Sequence, residues 1–146
     1  MTDSAIKNIK KDFFIFRNGV VADSVRKLYE PTTIIFGLMV PQFIELANKY
    51  PKNIDLALQL WNDKNCRESR LLALYLLPVN ELQKEKAKEM ILGINSREQA
   101  EFLSFKILRN LQYAPALLDE LKKEKSLNRL VSYCCEMLEK NLNAGK

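Results

Sequence analysis

With 146 residues and 47% hydrophobic content, the chain is long enough to bury a core without metal or disulfide support, and one domain spanning residues 1–146 is expected. It contains no histidine, which removes Ser-His and Cys-His nucleophile pairs, the common zinc-hydrolase sites and the usual neutral-pH general base. The formal charge of +5 allows an anionic partner, but Lys and Arg are interleaved with Asp and Glu throughout, so the bias is mild.

Few glycines and prolines among many Leu and Lys predict an all-helical protein. Cys66, Cys134 and Cys135 are odd in number and lack metal-ligand spacing, which predicts reduced thiols in a cytoplasmic setting, no metal and no cofactor. The opening MTDSAIKNIKKD has charges where a signal peptide needs its apolar core. No apolar run approaches the roughly 20 residues needed to cross a bilayer, so a soluble chain with no membrane partner is expected.

In chain order, Ser4 is expected to cap a first helix burying Ile6, Ile9, Phe13 and Phe16, with Gly19 as its left-handed exit. A short helix capped by Asp23 or Ser24 should bury Val25 and Leu28 and stop at Pro31. TTIIFGLMV reads as an extended loop or helical turn whose Ile34, Ile35 and Phe36 plug the core. Pro41 suits the first turn of a third helix with Phe43, Ile44, Leu46 and Ala47 inside, ending before Pro51. From Asn53 to Leu77, two apolar stripes at helical spacing are joined by the polar link NDKN, which predicts an antiparallel helical hairpin around which the chain is organised.

Beyond Pro78, Asn80 with Gln83 reads as a capping pair for a helix through Leu82, Ala87, Met90 and Ile91 that Gly93 ends. Ser96 with Gln99 repeats the signature for a helix carrying Ala100, Leu103, Ile107, Leu108 and Leu111, with Phe102 and Phe105 beside the stripe. Pro115 opens a short helix and Ser126 opens the last, through Leu130, Cys134, Leu138 and Leu142. Helix pairs thus recur from Asn53 to Leu77, Asn80 to Leu111 and Pro115 to Leu142. That recurrence, on the order of 30 to 40 residues, predicts HEAT-like helical-hairpin repeats stacked as a short curved α-solenoid.

Three passages carry a resemblance. Gly37 to Pro41 is similar to a "G-V-x-x-P" pattern, Leu56-Ala57-Leu60-Trp61 to an "L-A-x-x-L-W" helix, and Arg67-Glu68-Leu72-Ala73 to an "R-E-x-x-x-L-A" helix. Together they resemble the HEAT-like-repeat DNA alkylation repair family, the all-helical alkylpurine DNA glycosylases, over about half the chain. The resemblance implies a scaffold whose basic concave side suits a DNA backbone. The family's catalytic aspartate lies among tryptophans and an arginine, whereas Trp61 is the sole Trp here, so a short relative that keeps the scaffold without the chemistry is expected.

Among the remaining constellations, Asp55, Asp63 and Glu68 near Trp61 allow an aspartate-aromatic site, against the plainer reading that Asp63 caps a turn and Glu68 complements a helix N-terminus. Trp61 itself reads as core before it reads as a stacking platform. Adjacent Cys134 and Cys135 fit one buried and one partly exposed thiol rather than a catalytic pair. The basic residues are the better functional candidates: Arg129, Tyr133, Glu136 and Lys140 fall on one stripe of the last helix, and if second helices line the concave side, Arg67, Arg70, Lys106, Arg109, Arg129 and Lys140 form a cationic strip for phosphates, interleaved with Tyr113 and Tyr133. Surface pairing of Lys with Glu, as in KEKAKEM, is the competing explanation. The expected function is a non-enzymatic scaffold binding double-stranded DNA or a protein, with a minimal alkylpurine glycosylase as the alternative. A concave face of mixed charge, or one plugged by Phe102 and Phe105, would favour the protein.

Overall fold

The computed structural model describes residues 2–144, and in this range the protein is all-α, with nine α-helices and no strand. The chain, expected as one domain, forms two compact units, Met1–Pro78 and Val79–Lys146.

The first unit contains α1 (Thr2–Phe16), α2 (Gly19–Val25), a 3₁₀ turn at Arg26–Leu28, α3 (Val40–Lys49), α4 (Ile54–Asn62) and α5 (Arg67–Leu76). The hairpin predicted from Asn53 to Leu77 is present as α4 and α5 packed along each other. Asn53 caps α4 by accepting from the Leu56 amide at 2.9 Å, and its own amide donates to the Leu76 carbonyl at 3.1 Å, which closes the hairpin at its open end. α5 is the centre of the unit, for all its residues except Tyr75 are buried. Helices enclosed on every side are usually apolar all round. Here the first turn is Arg67-Glu68-Ser69-Arg70, and the consequence of burying that turn shapes the rest of the unit.

Several local expectations change. α1 begins at Thr2 rather than after a Ser4 cap. Gly19 opens α2 instead of closing α1, because the Asn18 side chain accepts from the Val20 and Val21 amides and starts a new helix. Asp23 and Ser24 therefore lie inside that helix, Ser24 donating to the Val21 carbonyl, and neither Val25 nor Leu28 is buried. The left-handed glycine is Gly37, at φ +92°, where a Cβ would stand 2.1 Å from the Asn18 carbonyl oxygen. The core plug of the 32–40 passage is Leu38, fully buried, while Ile34 is half exposed in an isolated parallel bridge to Cys66 and Ile35 and Phe36 are half-buried. In α3, with Pro41 in its first turn, Phe43 and Leu46 face inward and Ile44 faces out.

The second unit has a 3₁₀ turn at Val79–Glu81, α6 (Lys84–Leu92), α7 (Arg97–Lys106), a second 3₁₀ turn at Leu108–Asn110, α8 (Ala114–Lys122) and α9 (Arg129–Ala144). Asn80 is taken into the first 3₁₀ turn, so α6 starts three residues later than a cap there would place it, and Gly93 ends it as expected. Ser96 accepts from the Gln99 amide at 3.1 Å while Gln99 Oε1 accepts from the Asn95 amide at 3.0 Å, which realises the predicted capping pair. α7 stops at Lys106, and its apolar stripe continues through Leu108 and Leu111 by way of the 3₁₀ turn. The cap of α9 is Asn128, accepting from the Val131 amide at 2.9 Å, rather than Ser126. Of the expected adjacent pairs in this unit, α8 does pack on α9, but α7 packs most extensively on α9 rather than on α6, and α6 also reaches α9. Ser104 joins the two, donating at 2.8 Å to Ala100 and at 3.2 Å to the Cys134 carbonyl.

Candidate functional site

The polar turn of α5 was the richest candidate in the first unit, and burial has made it a clamp. Glu68 is fully buried, and its carboxylate accepts from the Phe36 amide at 2.9 Å, the Gly37 amide at 3.0 Å and the Leu38 amide at 3.4 Å. Arg67, 4% exposed, donates to Glu68 at 2.6 Å and to the Leu38 carbonyl at 3.0 Å. A buried charge needs a partner and full hydrogen bonding, and this pair finds both in the turn at Gly37. Arg70, 5% exposed, donates from Nε to the Trp61 carbonyl at 2.7 Å and lies 4.3 Å over its indole ring. Burial pushes the Arg70 guanidinium down to about 10, against the charges of Tyr29 and Asp63 that raise it.

Arg67 and Arg70 therefore face backbone carbonyls rather than a surface open to phosphates, and Trp61, 3% exposed, is core beneath Arg70. Asp63 follows the end of α4, accepts from Ser69 at 2.7 Å and pairs with Lys10. Glu68 complements the turn before α3 rather than the end of its own helix. Asp55 is exposed in the first turn of α4.

In the second unit, the remaining candidates fall in different places. Tyr113 is committed to structure, its hydroxyl donating to the Leu82 carbonyl at 2.7 Å. KEKAKEM is laced with ion pairs, as the plainer reading held: Lys86 to Glu89 at 3.0 Å within α6, and Lys84 and Lys88 to Glu120 of α8 at 2.9 and 3.2 Å. Arg109 lies 3.7 Å over the ring of Phe105, itself half exposed, next to Lys106. Burial, and then the charge of Arg109, lowers the Lys106 ammonium. Lys140 is exposed on α9.

Arg129 and Tyr133 line a partly open pocket of about 620 Å³, together with Arg97, Glu136, Leu127 and Leu130. The Arg97 guanidinium rests 4.4 Å over the Tyr133 ring, and the Tyr133 hydroxyl donates to Glu101 at 2.7 Å. Hydrogen bonding to Tyr133 first, and the charge of Glu101 with it, raises the Arg97 guanidinium above its ordinary value. The stripe expected on the last helix, Arg129, Tyr133, Glu136 and Lys140, thus contributes three of its members to one cavity. Arg97, the first residue of α7, is not among the candidates that the sequence singles out. Its signal was a cation at the start of a second helix, on the same footing as Arg129.

Among the described residues there is no cluster of His, Cys, Asp or Glu able to hold a metal, and no helix is long and apolar enough to cross a membrane. The chain matches no protein-family model, no curated protein and no solved structure.

Proposed function

We propose that the chain is a non-enzymatic helical scaffold of HEAT-like kind that holds a protein partner through the pocket between α7 and α9. The observation that carries this is the composition of the pocket wall: Arg97 and Arg129 share it with the carboxylate of Glu136 and the apolar Leu127 and Leu130. A polyanionic strand following the arginines would meet Glu136 as well, whereas a polypeptide offers both signs of charge and apolar side chains. Withdrawal of Arg67 and Arg70 into the first unit removes two cations from the strip that favoured DNA.

Kinship with the DNA alkylation repair scaffold fits the same reading. The Gly37 turn and Arg67-Glu68 are bonded to each other, and Trp61 is bonded to Arg70, so the residues carrying the resemblance hold a fold together. Base excision would need a carboxylate poised to stabilise positive charge on the sugar. Glu68 is fully enclosed by backbone amides and Arg67, and Glu136 is exposed. One observation favours DNA as the second reading: Arg109 on the exposed ring of Phe105, beside Lys106, is a cation-aromatic pair of the kind that meets phosphates and bases.

The test is selection from a random peptide library displayed with free C-termini. Enriched sequences that bind the natural chain and fail to bind Arg129→Glu are the expected result. Absence of enrichment, or equal binding by both proteins, would overturn the reading.

A further inference from the structure

The pocket is more selective than a generic protein surface. Its two guanidinium groups are differently prepared. The Arg97 guanidinium sits 4.4 Å over the ring of Tyr133, whose hydroxyl is already committed to Glu101, so its position is restricted before any ligand arrives. Arg129, in the first turn of α9, is exposed and has no ion pair among the described residues. A planar fork matches a carboxylate in two parallel hydrogen bonds, a geometry that a single hydroxyl or amide does not satisfy. On the same wall Glu136 supplies an acceptor, suited to the backbone N–H of a peptide, and repels a ligand carrying further negative charge. Leu127 and Leu130 give an apolar surface for an aliphatic side chain. A volume of about 620 Å³ admits the end of a chain of a few residues, not a helix or a duplex.

We infer that this pocket is a receptor for the C-terminal carboxylate of a partner polypeptide ending in an aliphatic residue. The free carboxylate bridges Arg97 and Arg129, the last peptide N–H donates to Glu136, and the last side chain rests on Leu127 and Leu130. Capture of a terminal carboxylate by prearranged donors is a general mode of peptide recognition. The inference rests on the protein-binding reading above and narrows it to one class of partner.

The experiment uses peptides enriched in the library, synthesised both as free acids and as C-terminal amides, and measures their binding by fluorescence anisotropy. Loss of a charge-assisted, bidentate contact predicts that the amides bind at least about tenfold more weakly. Arg129→Gln should weaken the acids to the level of the amides and leave the amides unchanged. Arg97→Lys, which keeps the charge and loses the fork, should fall between, and provides a second variant should Arg129→Gln fold poorly by circular dichroism. Equal binding of acid and amide would overturn the carboxylate receptor and leave the protein-binding reading standing, and it would point to an acidic side chain if the bound peptides share one. A library with no enriched peptide would overturn both.

Discussion

Removing the carboxylate of Glu68 is the perturbation whose cost the structure defines most closely. Glu68→Ala leaves Arg67, 4% exposed, without its counter-charge, and breaking a buried pair from one side costs about 3–5 kcal/mol. It also strips the acceptor from the Phe36 and Gly37 amides at 2.9 and 3.0 Å, each worth about 1–3 kcal/mol if left dry. Phe36 is half-buried and Ile34 half exposed, so water reaches part of this turn and recovers much of the second loss. A total of about 4–6 kcal/mol follows, comparable with the whole stability of a small domain, about 5–15 kcal/mol. Urea unfolding followed by the fluorescence of Trp61, which lies in the first unit under Arg70, reads this directly. Glu68→Gln keeps one acceptor oxygen and should lose roughly half as much. The exposed Glu89→Ala, which breaks only an i,i+3 pair with Lys86, should stay within about 0.5 kcal/mol. A Glu68→Ala loss below about 1 kcal/mol would refute the clamp.

Four further outcomes follow from the same geometry. Gly37→Ala should cost more than ~3 kcal/mol in chemical unfolding, because φ +92° and a Cβ 2.1 Å from the Asn18 oxygen add strain to collision, while Gly19→Ala, with open space around it, should gain about 0.5–1 kcal/mol; matching shifts at the two positions would contradict the turn. Burial, and then the hydrogen bond and charge of Asp12 at 2.5 Å, raise the Tyr50 phenol above its ordinary 10.0. Stability from this contact is therefore complete below pH 10.0 and is lost as pH climbs through the higher folded value, so urea midpoints of the natural chain should fall more steeply in alkali than those of Tyr50→Phe. In native protein the thiols should react slowly with a soluble disulfide reagent, Cys135 (7% exposed) before Cys134, which burial pushes up to about 12. Lys106→Glu with Arg109→Glu should leave peptide binding unchanged, and a strong, salt-dependent loss of duplex DNA binding in this variant would support the second reading instead.

The helices were legible because burial writes a helical period into Leu, Ile and Ala, and because Asn53, Ser96 and Gly93 punctuate their ends. The Asn53–Leu77 hairpin could be read for both reasons at once. What misled was polarity: Arg67 and Arg70 look like surface residues by type, and nothing local reveals that a glycine turn thirty positions earlier in the chain supplies the carbonyl and amides that admit one of them to the interior. Asn18 outcompeted Asp23 as the cap of α2 and Asn128 outcompeted Ser126 as the cap of α9, a choice set by where each chain segment docks rather than by propensity. In the candidate site, the stripe of Arg129, Tyr133 and Glu136 was visible from spacing on one helix. Arg97 was not, since its place beside Tyr133 depends on the packing of α7 upon α9.

Heteronuclear NMR of the arginine side chains separates the structural cations from the receptor cations in a single titration with N-acetyl-leucine. The Nε–H signals of Arg97 and Arg129 should shift as the carboxylate is added, while those of Arg67 and Arg70 stay in place and exchange slowly with solvent. Shifts at Arg67 and Arg70, with Arg97 and Arg129 unmoved, would contradict the account.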